Sequence, residues 1–539
     1  MKVFLHPSPR LRRGYLLLSG LLLGACVTFP TGVGAVVEWI AAVPAALAVF
    51  SLIAEEKIRY FRVWGLGFLF CAAEYFVNYH WFIRMYPLDF TGMSRAAALV
   101  VVLLGWWGLS ALAALMGGVC FAVTVALGRT SLCRRMPVLV PFVAGAAFTL
   151  FEWTQTQTWM GVPWGRLALG QLAGNFTLTV MPARLFGSYL ITFLLISVSY
   201  LLALGLSGGK LRARALLALG LAAADLAAGT LLFFLPEPAA EPVTVAAVQG
   251  NVNSRDKWDA SSSRITDERY RKYTLEAVAR GAQIVVYPET AYPYYVSEGG
   301  AYDTEFSVFA GECGAAIAAG CFTYEGEGQY NVLRFYTPEG YVGFAAKRHL
   351  VPFGEYLPWR GFFETFLKPL TELAMLSDDL TPAADANVTE LSGVPCGTMI
   401  CFDSIYETLA LNSTRAGAQI LLLATNDSWF LDSRAVYMHN AQARLRAIEN
   451  CRPVVRAANT GVSSLIDSRG RVTELLPPLV EGVVVGTVTP SCAVTLYSVV
   501  GNLFVVLCAA FAFGLAAAEG VRRFREKSTE DSEKKSKNS

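Results

Sequence analysis

The sequence predicts two architectures in one chain: a polytopic α-helical membrane domain of about eight spans, and an α/β domain carried outside the membrane. Three observations predict them. Of 539 residues, 54% are hydrophobic and only 16% charged, against about 25% charged in an average soluble domain. The apolar residues crowd into the first 235 positions and a short C-terminal piece. Between those regions, strand-like and helix-like segments alternate.

Roughly 20 apolar residues cross a bilayer, and stretches of that order lie at 14–30, 32–53, 60–80, 96–127, 137–153, 186–207, 214–235 and 495–519. The stretch 96–127 is long enough to bend or to continue past the hydrocarbon, and two helices there would change the parity of the spans. Lys and Arg collect at alternate connections, in Lys2 with Arg10, Arg12 and Arg13, in Lys57 with Arg59 and Arg62, in Arg129 with Arg134 and Arg135, in Lys210 with Arg212 and Arg214, and in Arg522, Arg523 and Arg525. The positive-inside rule then puts both termini in the cytoplasm. The predicted organisation is a membrane domain at 1–235, an outside domain at 236–494, a last span at 495–521 and a charged cytoplasmic tail at 522–539. In a bacterium the outside domain faces the periplasm or the outer surface. The tail "REKSTEDSEKKSKNS" has few apolar residues, so disorder is expected there.

In the outside segment, "PVTVAAVQGNV" reads as a strand, a polar helix follows around 266–280, and "AQIVVYPE", "CGTMICF" and "AQILLLATN" read as further buried strands. Catalytic groups in α/β domains gather at the carboxyl ends of strands. Three titratable residues lie at or just past such ends: Glu289 in "VVYPETAYP", Lys347 in "FAAKRHLVPFGEYLP" and Cys401 in "GTMICFDS". A thiol is a strong nucleophile only when it can lose its proton, which calls for a nearby base and cation. Glu289 could take that proton, and Lys347 could stabilise both the thiolate and a tetrahedral oxyanion. Taken singly, each residue has an ordinary explanation: a cysteine ending an apolar strand is usually a small buried hydrophobe, and lone charges are usually surface groups or ion pairs. Nothing in the spacing links His439 to Cys401. The net charge of +2, with no zinc-type Cys/His spacing and no basic, aromatic-interleaved patch, offers nothing to a nucleic acid.

The segments "VAAVQGNV", "YPET", "KRHLVPFGEYLP" and "ICFD", in that order, resemble the carbon-nitrogen hydrolase (nitrilase) superfamily with its Glu-Lys-Cys triad. Together with the spans, "VPWGRLALGQ" at 162–171, "TNDSWF" and "HNAQARLRAIENCRPVVRAANTGVSS" are similar to the membrane-embedded branch of that superfamily, the apolipoprotein N-acyltransferases. The resemblance implies an αββα sandwich outside the membrane. It implies Cys401 as nucleophile, Glu289 as general base and later acid, and Lys347 as oxyanion stabiliser, with Glu355 and Asp403 in support. Glu355 would position Lys347, relay protons or form a structural ion pair. Asp403 stands where these transferases commonly carry Glu. Tyr292 and Trp429 would either flank the pocket or belong to ordinary aromatic packing, and Arg444, Arg446 and Glu449 would form structural salt bridges on one helix. The implied reaction moves an acyl chain from a membrane phospholipid to the N-terminal amine of a diacylglyceryl-cysteine in an apolipoprotein, through a Cys401 thioester, with no metal, nucleotide or other cofactor. A membrane-anchored amidase or nitrilase, in which water takes the acyl group, is the alternative, and a scaffold or transporter without catalysis is a third reading.

Short connections to the spans at both ends hold the outside domain at the bilayer. The segment 356–376 carries Trp359, Phe362, Phe363, Phe366 and Leu367 in close succession, which fits either a lid dipping into the interface or a helix packed on the domain. The start "RLRRGYLLLSGLLLGAC" mimics a lipoprotein signal ending at Cys26, and a retained first span is expected. Glu38, Glu74, Glu152 and Asp225 fall in or near spans, where acids are costly, at helix ends or as functional groups. Six of the eleven cysteines lie in the outside domain, and Cys401 must stay free.

Overall fold

The computed structural model describes every residue except 1–6, 89–92, 159–160, 208–209, 239, 254–256, 258–259, 367–378 and 538–539. All eight apolar stretches form helices: α1 (Pro9–Thr28), α2 (Gly32–Ala41) continued by α3 (Val43–Ile53), α4 (Tyr60–Asn78), α5 (Arg95–Gly128), α6 (Leu139–Thr154), α7 (Ser188–Ser207), α8 (Leu211–Phe234) and, past the outside domain, a C-terminal helix (Leu503–Lys537). Among the described residues, six helical stretches are long and apolar enough to cross a membrane, with α2 and α3 counted as one. The other two differ for separate reasons. α6 has 16 residues, about 24 Å at 1.5 Å per residue, and is enclosed by α5, α7 and the C-terminal helix. α4 has 19 residues but includes Arg62, Glu74 and Asn78. The stretch 96–127 is one unbroken helix.

The first span keeps Cys26 inside the bundle, 5% exposed. Gly20 and Gly24 on α1 let it close directly on the backbone of α4, where a Cβ would collide with the carbonyls of Phe70 and Glu74. Glu38, Glu74, Glu152 and Asp225 all lie inside the protein rather than at watered helix ends. Glu152 accepts the Leu167 N–H at 2.9 Å and the Thr192 hydroxyl at 2.7 Å, and Glu38 accepts Gln171 Nε2 at 2.7 Å. The C-terminal helix runs on to Lys537, through the tail expected to be disordered. Glu519 pairs with Arg522 and Arg523 three and four residues on, and Arg522 with Glu526, which supports helix where no core does.

The segment between α8 and the C-terminal helix forms an αββα sandwich. Its elements are β1 (Val243–Gln249), α9 (Ala260–Ala279), β2 (Ile284–Val286), α10 (Ala301–Cys313), β3 (Ala316–Glu325), β4 (Gly328–Thr337), β5 (Gly340–Ala346), β6 (Val388–Leu391), β7 (Val394–Ile400), α11 (Glu407–Arg415), β8 (Ile420–Thr425), α12 (Arg434–Asn450), β9 (Val454–Ala458), β10 (Ser463–Ile466), β11 (Val472–Leu476) and β12 (Gly482–Val488). One sheet has the order β12-β1-β2-β3-β4-β5, the other β11-β10-β9-β8-β7-β6. In each, two internal pairs are parallel: β1–β2 and β2–β3 in the first, β7–β8 and β8–β9 in the second. Because side chains alternate along a strand, Val245 and Ala247 of β1 face the second sheet with Ile400, Leu422 and Val455, while Ala246 and Val248 face Tyr270 and Tyr273 of α9.

The second sheet's helix layer is the one seated on the membrane domain. The "VPWGRLALGQ" segment forms two buried 3-10 turns, Pro163–Gly165 and Leu167–Gln171. Gln442 of α12 donates to the Pro163 carbonyl at 3.0 Å, and Arg444 to the carbonyls of Leu172, Gly174 and Gly470 at 3.0, 2.6 and 2.7 Å. Arg444 is therefore a clamp on backbone carbonyls rather than part of the expected salt bridge, while Arg446 and Glu449 do pair, at 2.8 Å.

Candidate active site

The ends of β2, β5, β7 and β8 meet at one end of the sandwich, and each delivers one group. Glu289 follows β2 by three residues, Lys347 follows β5 directly, Cys401 follows β7 directly, and Asn426 follows β8. Lys347 Nζ donates to Glu289 Oε1 at 2.8 Å and to Glu355 Oε1 at 2.7 Å. Asn331 Nδ2 bridges the same two carboxylates, at 2.8 and 3.1 Å. Glu289 Oε2 accepts the Asn426 N–H at 3.0 Å, and the Cys401 thiol lies within electrostatic reach of Glu289 and Lys347. The three expected catalytic residues are thus one connected cluster.

Cys401 itself sits in the left-handed region, at φ 49°, where the strand breaks into the 3-10 turn Cys401–Ile405. Non-glycine residues rarely adopt this conformation, and here Asp403 holds it. Its carboxylate accepts the N–H of Ile400 at 2.9 Å and of His349 at 2.8 Å, tying the Cys401 turn to the loop that starts at Lys347. Asp403 is fully buried, so its contribution is to position. On the far side of the turn, His439 Nε2 lies 3.2 Å from the Cys401 carbonyl and 2.9 Å from the Ser404 hydroxyl, while its Nδ1 lies 2.8 Å from Asp427, which Arg456 also holds at 2.7 Å. The imidazole thus meets the backbone of Cys401 rather than its sulfur.

The electrostatics favour a proton on the Cys401 sulfur and none on Glu289. Burial raises the Cys401 thiol, and the Glu289 charge raises it further, against Lys347. Burial alone would raise Glu289 too, but Lys347, Asn331 and the thiol hold its carboxyl below the usual range. Lys347 loses stability as a cation by burial and regains more from Glu289 and Glu355, so it stays charged. Glu355 is pushed up, first by burial, while its Oε2 anchors the Val351 N–H at 2.8 Å.

The remaining expected residues scatter. Tyr292 is 2% exposed inside an aromatic cluster with Tyr270, Tyr287 and Phe306, its hydroxyl on Asp267 at 3.0 Å, so core packing accounts for it and it does not flank the pocket. Trp429 lies part-exposed in the 3-10 turn Ser428–Phe430 next to Asp427. Trp359 and Phe362 are 65% and 52% exposed; residues 367–378 and the side chains of Phe363 and Phe366 lie outside the described residues. The described cysteines are all free. Sequence reasoning did not pick out Asn331, Asn426 or Lys257. Asn426 ends the "AQILLLATN" strand and was findable by position; Asn331 and Lys257 carry no local signal.

A strand-end Glu-Lys-Cys cluster on a double αββα layer defines a carbon-nitrogen hydrolase, and the family model "Carbon-nitrogen hydrolase" matches residues 244–495. A second model, "Apolipoprotein N-acyltransferase N-terminal domain", matches residues 19–201. The chain is 31% identical to the apolipoprotein N-acyltransferase of Geobacter metallireducens over 533 residues, 96% of each chain, and 31% identical to that of Gloeobacter violaceus over 516 residues, 93% of this chain and 92% of that one. This chain belongs to the apolipoprotein N-acyltransferase family, acyltransferases within the carbon-nitrogen hydrolase superfamily. Among solved structures, Saccharomyces cerevisiae Nit3, a member of the nitrilase superfamily, matches 46% of this chain and 91% of its own at 18% identity, with a TM-score of 0.37.

Proposed function

We propose that this protein transfers a fatty acyl chain from a membrane phospholipid to the N-terminal amine of a diacylglyceryl-cysteine in an apolipoprotein, by way of a thioester on Cys401. The observation that carries the reading is the cluster in which the hydrogen-bonded Glu289 carboxylate and Lys347 ammonium both act on the Cys401 thiol, on a domain bonded directly to a bundle of apolar helices. Glu289 takes the thiol proton as sulfur attacks the ester carbonyl. Lys347 stabilises the oxyanion that develops. As that intermediate collapses, Glu289 returns the proton to the departing lysophospholipid oxygen. The acceptor amine then attacks the thioester carbon, Glu289 removes its proton, and the thiolate leaves and is reprotonated. Two sequential transfers replace one encounter of two lipids.

The domain would face the periplasm, with both termini cytoplasmic. The unbroken helix α5 keeps the parity on which that assignment rests, and the basic clusters at alternate connections give its sign. The exposed Trp359 and Phe362 suit an edge in contact with lipid.

The test is to incubate the protein with phospholipid and no acceptor. One acyl chain should accumulate on Cys401, be released by neutral hydroxylamine, and be cleared by a diacylated lipopeptide to give the triacylated product. Acyl transfer at a normal rate by Cys401→Ala would overturn the covalent route. Free fatty acid without N-acylated peptide would favour the hydrolase alternative.

A further inference from the structure

A second lysine reaches the turn that carries the base. Lys257, in the loop after β1, is 4% exposed, and its Nζ donates to the Thr290 hydroxyl at 2.6 Å and to the Glu289 carbonyl at 3.2 Å. Both acceptors belong to the pair of residues that presents the Glu289 carboxylate. Thr290 lies in the left-handed region at φ 46°, a conformation that a β-branched residue scarcely ever takes and that persists only where its surroundings over-determine it.

Those surroundings are visible on both sides. On one side the turn presses on β3: a Cβ at Gly320 would fall 2.1 Å from the Pro288 carbonyl and 2.8 Å from the Thr290 nitrogen, so only glycine admits the turn there. The Tyr292 N–H then donates to the Gly320 carbonyl at 3.0 Å. On the other side stands Lys257, bonded to the carbonyl of the Glu289–Thr290 peptide and to the Thr290 side chain.

We propose that Lys257 is a positioning residue for acyl transfer, clamping the Glu289–Thr290 turn against Gly320 so that the Glu289 carboxylate meets the Cys401 thiol. This rests on the reading of Glu289 and Cys401 as the reacting pair. Burial draws the Lys257 ammonium down to about 7, with Glu289 and Cys401 holding it up. The neutral amine still has two N–H donors for the same acceptors, so the clamp survives that titration. The charged groups facing Cys401 are then Glu289, Lys347, Lys257 and Asp427, the last already paired with His439 and Arg456. Glu355 stands behind Lys347, and Asp403 beneath the turn.

The test reads the thiol without any lipid. The full-length protein in detergent is treated with iodoacetamide from about pH 6 to 11, a range that extends above an ordinary thiol because burial raises this one, with the label mapped to Cys401 by peptide mass. In Lys257→Met the alkylation rate at neutral pH should fall about 10- to 100-fold, the cost of a small misplacement of a reacting group, and its pH midpoint should move upward. Lys257→Arg, which keeps a donor and a cation, should lose less. Thr290→Gly introduced into Lys257→Met should recover part of the loss, because glycine takes the left-handed turn without a clamp. A native pH profile in Lys257→Met, whatever its melting temperature, would overturn the proposal, as would equal losses in the Met and Arg variants. If Lys257→Met does not accumulate in membranes, Thr290→Val removes the acceptor hydroxyl and must show the same upward shift; a native profile there overturns the clamp. A shifted alkylation profile combined with no phospholipid-derived acyl group on native Cys401 would instead count against the proposed donor and leave the clamp standing.

Discussion

Arg166, in the loop region of the membrane domain, and Glu407, two residues past the nucleophile's 3-10 turn, form an ion pair in which each side chain is 1% exposed. Tyr189 donates to the other Glu407 oxygen at 2.7 Å, and Arg166 Nη1 also reaches the Ser188 hydroxyl at 3.2 Å. Burial disfavours charge on Glu407, but Arg166 outweighs it and holds the carboxyl below its ordinary range. A second seam runs beside it, where the Ser188 N–H donates to Glu449 at 3.0 Å. The helix that follows Cys401 is thereby bolted to the membrane domain, as is the back of the nucleophile itself, since Trp164 packs on His439 with ring centroids 5.4 Å apart.

Breaking one partner of a buried pair strands the other, at a cost of about 3–5 kcal/mol, whereas replacing both costs far less. Arg166→Gln should therefore lower the melting temperature of the detergent-solubilised protein sharply, and Arg166→Gln with Glu407→Gln should recover much of it. Calorimetry or a thermal aggregation assay on the four members of the cycle measures the coupling. Additive effects would show that the pair does not join the two domains.

The two carboxylates on Lys347 are expected to separate in function. Lys347→Ala should slow acyl-enzyme formation by about 10²–10³, the usual cost of one oxyanion donor. Glu355→Gln keeps the shape and leaves Lys347 bonded to Glu289, so it should lose about tenfold or less, in line with a hydrogen-bonded neighbour rather than a proton carrier. Single-turnover acylation by phospholipid vesicles distinguishes them. An equal loss in Glu355→Gln would place Glu355 in the proton path.

Much of this site was legible because strand ends are legible. Apolar runs closing on Glu289, Lys347 and Cys401 mark positions that a layered α/β fold must bring to one edge, and the motif order fixed which fold. What stayed hidden depends on contacts between distant segments. Arg166 and Glu407 are 241 positions apart, and neither looks unlike a surface charge. Lys257 reaches Thr290 over 33 positions from a polar loop. Arg444 shares a helix with Glu449, which suggested a salt bridge, but helix position alone could not show that three carbonyls of two other segments converge on it. Tyr292 follows Glu289 so closely that a pocket role and core packing were both open, and the left-handed residue between them turns the chain into the aromatic core.

Topology can be checked at the β3–β4 turn, where Glu327 is exposed. With Cys492, the exposed native thiol, replaced by serine, Glu327→Cys should react with an impermeant maleimide in intact spheroplasts. Labelling only after lysis would place the domain in the cytoplasm and reverse the assignment of both termini.

The pH dependence tests which group is the base. Glu289 is held below its ordinary value of 4.5 and Cys401 above its ordinary 9.0, so between those limits the resting pair is one carboxylate and one thiol. Acidification through the Glu289 pKa protonates the base and removes activity, which places the acid limb below pH 4.5. Raising the pH past the thiol's pKa creates thiolate without discharging Lys347, whose own value is pushed up by its two carboxylates against burial. The rate of acyl-enzyme formation should therefore stay nearly flat from about pH 5 to 9, with at most a small step where Lys257 loses its charge near 7. In Glu289→Gln the acid limb should vanish, and the residual rate should climb with pH as thiolate forms unaided. An acid limb kept unchanged in Glu289→Gln would transfer the base role to another group and remove Glu289 from the mechanism.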